Sequence, residues 1–141
     1  MSGDGNTREG RIILGGAVEG PLLLSKPIAF WGGFDPVAGR ISEQRHEQFG
    51  EVVTGKIVAM PGLRGPTSSG SPLAESLRLR TGPRALLLVD VSLIAVMAGM
   101  IADRLYGSGM TVVAISNETL AALADWKIVA VAESGRLKRL S

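Results

Sequence analysis

An α/β fold, mixed and three-layered, β-rich in its N-terminal half and alternating strands with helices in its C-terminal half, is what this sequence predicts. Two observations carry the prediction. Nearly continuous apolar runs at Lys56–Met60, Arg84–Asp90, Met110–Ser116 and Lys127–Ala132 have strand length and no wet face, which suits a parallel sheet covered on both sides. Between them lie segments of helical length, with Leu73 and Leu77 four apart in the first and polar starts at Ser92 and Asn117 in the others.

Taken in order, Arg11–Leu14 reads as a strand stopped by Gly15-Gly16, and Ala17–Leu24 as a second. Ile28–Trp31 is a third apolar run, ended by Gly32-Gly33-Phe34-Asp35-Pro36. Gly39–Ser42 is short and ambiguous, while the Thr54-Gly55 pair marks a bend before the Lys56–Met60 strand. A helix starts near Ser69 to Ser71 and continues through Arg80. Strand Arg84–Asp90, helix Val91–Tyr106, strand Met110–Ser116, helix Asn117–Trp126 and strand Lys127–Ala132 complete the chain. The polar segment 1–9 is expected to be a flexible N-terminal tail and 136–141 a basic C-terminal tail.

At 141 residues, with 45% hydrophobic and 20% charged residues, the chain suits a single folded domain and excludes general disorder. The formal charge is only +2 and the basic residues are scattered, apart from Arg136-Leu137-Lys138-Arg139, so no nucleic-acid footprint is present. The apolar stretches Ala85–Val91 and Leu93–Ile101 are divided by Asp90 and each falls short of the ~20 residues a bilayer requires. No charged-then-apolar leader pattern opens the chain, and the cytoplasm is the expected location. There is no cysteine and one histidine, His46, so thiol chemistry and thiolate-held clusters must come from a partner if they are used at all. His46 itself sits in the polar run Gln44–Gln48 and reads as a surface residue; Asp90 and Asp103 read as structural.

Chemistry concentrates in Arg64-Gly65-Pro66-Thr67-Ser68-Ser69-Gly70-Ser71, four hydroxyls and two glycines between a strand and a helix start. Unpaired amides and the dipole at a helix N-terminus favour an anion, and a guanidinium can grip a carboxylate through two bonds. The same segment also suits a linker whose serines cap the helix. Gly65 and Gly70 are followed by Ser71 where a nucleotide-binding loop needs lysine, and Gly-x-Ser-x-Gly is absent. In Phe30–Pro36, two glycines let backbone amides face a ligand, with Asp35 as acceptor; equally, the aromatics plug the core and Asp35 caps a bend.

These two segments resemble those of the small subunit, or swivel domain, of the aconitase X family. The resemblance runs from about Gly10 to Ile115 and includes Gly15-Gly16-x-x-Glu19-Gly20, Phe30–Pro36, His46, Gly55-Lys56 and the Arg64-Gly65 loop. It implies an aconitase-like swivelling β/β/α domain over 10–135. It also implies a hydro-lyase active only with a cysteine-bearing large subunit that holds an iron-sulfur cluster. The implied reaction dehydrates a small hydroxy acid, cis-3-hydroxy-L-proline first and phosphomevalonate as the alternative. In aconitase-like chemistry a swivel-loop serine removes the proton α to a carboxylate. Pro66 occupies the place of the usual serine in a loop one residue longer, so the base is Ser68 or Thr67. Arg64, Gly65, Ser69, Ser71, Gly32, Gly33 and Asp35 are the implied substrate-binding residues. A non-catalytic anion-binding or regulatory module is the rival reading.

Overall fold

The computed structural model describes residues 5–65 and 70–141. In chain order the elements are β1 (Thr7–Arg8), β2 (Arg11–Leu14), β3 (Val18–Leu24), β4 (Phe34–Asp35), β5 (Arg40–Ile41) and β6 (Ile57–Met60). They continue as α1 (Gly70–Arg78), β7 (Ala85–Leu88), α2 (Leu93–Tyr106), β8 (Thr111–Ala114), α3 (Asn117–Ala122), a 3-10 turn (Leu123–Asp125), β9 (Ile128–Val131) and β10 (Leu137–Arg139).

Eight strands hydrogen-bond in the order β1-β10-β9-β3-β6-β7-β8-β2, and β4 and β5 form a separate short ladder. Strands β3, β6, β7 and β8 are mutually parallel, with Leu22 opposite Ile57, Ile57 opposite Ala85 and Ala85 opposite Thr111. Every residue of β6 and β7 is buried, as expected for strands covered on both faces. Alternation along these strands divides the core in two. Val58, Met60, Leu86 and Leu88 pack with Leu73 and Leu77 of α1 and Ala95, Ala98 and Ala102 of α2. Ile57, Ala59, Ala85 and Leu87 pack instead with Leu123, Trp126, Val129, Val131 and Leu137.

The second face is thus covered mainly by another β layer. Strand β3 belongs to both layers: Val18–Pro21 pairs antiparallel with β9, and Leu22–Leu24 pairs parallel with β6. This is the three-layered arrangement, mixed in strand direction, that the sequence predicts, in the β/β/α form that the resemblance implies. Pro72 lies in the first turn of α1, where its missing N–H costs no intrahelical bond. Helix α2 is capped by the Ser92 side chain, which accepts from the Ile94 N–H, and ends at Gly107 in the left-handed conformation (φ 64°).

Four expectations are corrected. Within the predicted tails, Thr7 and Arg8 pair with Lys138 and Leu137, and β10 pairs with β9, because Leu137 is fully buried in the second core. Ser116, not Asn117, caps α3 by accepting from the Thr119 N–H at 3.0 Å. The helix predicted to reach Trp126 tightens into the 3-10 turn after Ala122, which leaves the Trp126 ring buried. The run Ile28–Trp31 makes a single bridge, Ala29 to Arg64, instead of a strand. Among the described residues no helix is long and apolar enough to cross a membrane.

Candidate active site

The parallel neighbours β3 and β6 both continue past their C-terminal ends into the segments that carry the predicted site. Open α/β sheets place ligands at this end of their strands. The Ser25 N–H donates to Ala59 O at 2.9 Å, and the pairing resumes where the Arg64 N–H donates to Ile28 O at 3.0 Å. Arg64 and the glycine turn are therefore brought to one corner by backbone bonds.

At that corner the Gly33 N–H donates to Ala29 O at 2.9 Å and Gly33 O accepts from the Ser42 N–H at 3.0 Å. Gly32 has φ 87°, a conformation that side-chain-bearing residues avoid. Gly33 has a different constraint: a Cβ there would sit 2.8 Å from Ala29 O and 3.2 Å from Glu43 Oε1. Phe30 and Phe34 point inward, both buried, with ring centroids 4.8 Å apart and edge-to-face at 65°. Trp31 is exposed. Asp35 Oδ1 accepts from the Val37 and Ala38 N–H groups at 3.0 and 3.3 Å, so its carboxylate holds the turn that follows β4.

Arg64 Nη2 donates to Glu43 Oε1. The Arg64 side chain is 53% exposed, and no other side-chain bond ties it to a described residue. No described residue takes its Nε or Nη1 donors. Gly65 follows with φ 109°. Ser71 lies in the first turn of α1, which has no acidic residue. Gly70 and Ser71 open onto a groove of about 630 Å³ between α1 and α2, lined also by Ala74, Leu93, Ile94 and Met97. On the same helix, Glu75 is held below the usual carboxylate range by hydrogen bonds from Arg78 Nε and Nη2 at 2.8 and 2.6 Å, an exposed pair. A groove of about 470 Å³ at the other end of the parallel strands, lined by Leu14, Arg84, Asp103 and Met110, contains none of the predicted site residues.

The structure thus brings together Arg64, Gly65, Gly32 and Gly33, gives Asp35 a turn-holding contact, and places Ser71 at the helix start. Thr67, Ser68 and Ser69 lie outside the described residues. His46 is corrected from a surface residue to a buried one: Nε2 donates to Lys26 O (3.0 Å) and Pro27 O (3.1 Å), while Nδ1 accepts from the Gln48 N–H (2.9 Å). It braces the segment leading into the glycine turn. Glu43 is the residue that sequence reasoning missed, because its partner is 21 positions away and nothing local marks it. Among the described residues no cluster of three His, Cys, Asp or Glu side chains is able to hold a metal.

Comparison with known proteins points to one family. The family model for the aconitase X swivel domain matches residues 7–139. The phosphomevalonate dehydratase small subunit of Pyrococcus furiosus is 36% identical over 95 residues, 67% of this chain and 71% of that one. The cis-3-hydroxy-L-proline dehydratase of Hypocrea jecorina is 30% identical over 124 residues, 87% of this chain but only 21% of that much longer protein. Among solved structures, Thermococcus kodakaraensis aconitase X superposes with a TM-score of 0.80 at 24% identity, covering 96% of this chain and 98% of its counterpart. With a match that takes in almost every residue from β1 to β10, the chain belongs to the aconitase X swivel-domain family.

Proposed function

We propose that this chain is the small subunit of a two-subunit aconitase-like hydro-lyase that dehydrates a small hydroxy acid. The observation that carries the reading is the corner at the C-terminal ends of β3 and β6. There Arg64 is anchored by its backbone and presents guanidinium donors that no described residue takes, immediately before the hydroxyl-rich segment 66–69. Arg64 binds the substrate carboxylate, and Gly32, Gly33 and Gly65 keep the backbone around it free of side chains. Asp35 keeps the turn in shape, and Ser69 and Ser71 add hydroxyl contacts. Ser68, or Thr67 beside it, removes the proton α to the carboxylate. Positive charge from Arg64 and the α1 terminus lowers the cost of a hydroxyl acting as base. This chain has no cysteine and its described residues form no metal-binding cluster, so an iron-sulfur cluster fits only on a large partner subunit. When bound there, the cluster would supply Lewis acidity to the departing hydroxyl.

For substrate, the reading favours cis-3-hydroxy-L-proline. The corner holds one guanidinium, with part of its charge offset by Glu43, which suits a single carboxylate. A second reading, 5-phosphomevalonate, is favoured by similarity to free-standing small subunits of that name, at 34% and 36% identity. The test is reconstitution with the large subunit and assay of both compounds. Turnover of neither sinks the dehydratase reading. Ser68→Ala and Thr67→Ala, made separately, should show one position where turnover falls ~10²–10⁴-fold with substrate binding retained. Weaker binding with unaltered turnover at saturation would instead indicate an anion-binding module.

A further inference from the structure

We infer that Glu43 is the positioning residue for Arg64, setting the direction in which the guanidinium faces the substrate; the inference rests on the dehydratase reading above. Glu43 is itself a fixed point. The Ser42 N–H donates to Gly33 O, and Glu43 O accepts from the N–H of buried His46 at 3.1 Å. Its side chain is 30% exposed, and Oε1 meets Arg64 Nη2. Gly33 leaves the room this carboxylate needs, since a Cβ there would stand 3.2 Å from the same oxygen.

Arg64 is thereby held at both ends. Its backbone is pinned to Ile28 and bridged to Ala29, and its tip is pinned to Glu43. An unpaired arginine samples many rotamers, and a planar donor fork binds a carboxylate well only when its plane is set. Glu43 sets that plane through one Nη2 hydrogen, and no described residue takes the Nε or Nη1 donors.

Electrostatics gives this role a sign of its own. If Glu43 were only a surface charge, removing it would strengthen the attraction between Arg64 and an anionic substrate, and KM would fall. If it positions Arg64, removing it scatters the donor fork, and kcat/KM falls although the site has become more positive.

The experiment compares wild type with Glu43→Gln and Glu43→Asp. In the free chain, the Arg64 side-chain NMR signals report rotation of the guanidinium. In the reconstituted two-subunit enzyme, KM and kcat are measured with both candidate substrates. The expected results are faster guanidinium rotation in both variants and a kcat/KM lowered about tenfold in Glu43→Gln. Glu43→Asp, too short to reach but still negative, should fail similarly, which separates reach from charge. Thermal midpoints should stay within a few degrees, because a half-exposed pair adds little stability. Unchanged Arg64 signals, or a KM that falls on neutralisation, overturns the inference. If the wild-type pair turns over neither substrate, the dehydratase reading fails, and the Arg64 signals still decide whether Glu43 orients the guanidinium.

Discussion

Gly32 and Gly33 are neighbours that must be glycine for unrelated reasons, and substitution separates them. At Gly32 the constraint is conformational: φ is 87°, and a Cβ would meet nothing within 4 Å. Gly32→Ala should therefore cost roughly 1–2 kcal/mol of backbone strain, and Gly32→Asn distinctly less, because asparagine tolerates the left-handed region. At Gly33 the backbone is ordinary and the obstacle is steric, with a Cβ 2.8 Å from Ala29 O and 3.2 Å from Glu43 Oε1. The Ala29 carbonyl is already bonded to the Gly33 N–H and cannot retreat without losing it. Gly33→Ala should cost about 1–3 kcal/mol, and Gly33→Asn should be worse than Gly33→Ala, the reverse of the order at Gly32. For a chain of this size each kcal/mol moves the thermal midpoint by roughly 3–4 °C. Urea and thermal unfolding of the four variants, followed by circular dichroism, reads all of these. The reasoning is refuted if asparagine is no better than alanine at Gly32, or if Gly33→Ala unfolds with wild type.

Three further outcomes follow from the packing. Phe34→Ala should destabilise by about 3–5 kcal/mol, since it empties a buried ring and its edge-to-face contact with Phe30; a loss under 1 kcal/mol in urea melts would show that the turn does not plug the core. His46→Phe leaves the Gln48 N–H without its acceptor and removes the donor to Lys26 O and Pro27 O. It should cost about 1–3 kcal/mol and speed amide exchange in residues 26–33, a result that a surface histidine would not give. Leu137→Ala should cost roughly 2–5 kcal/mol by calorimetry, whereas no change would restore the picture of a free basic tail.

Much of the fold was legible because its signals are local. The unbroken apolar runs of β6 and β7 announce strands buried on both faces, and the glycine turn and helix starts announce themselves by residue type. The parts that were not legible depend on partners far along the chain. Strands β1 and β10 are two and three residues long and rich in charge, too short for any period to emerge, and only burial of Leu137 against β9 makes them strands. His46 looks solvated among Gln44, Arg45 and Glu47, but its acceptors lie some twenty residues earlier. The site was legible in the same uneven way. Arg64 and the two glycines stand out by composition, whereas Glu43 gains its meaning only when β5 brings it beneath the turn.

Strand β3 carries a consequence for how the chain assembles. Its second half can pair once β6 has been made, but its first half cannot complete its ladder until Val131 and Ala130 arrive to meet Val18 and Glu19. Closing so long a loop is entropically slow, and parallel pairing adds further non-local contacts. A ribosome-bound chain released only as far as β7 therefore holds half of β3 as an open edge. The last β layer has to zip onto it before the second core is finished.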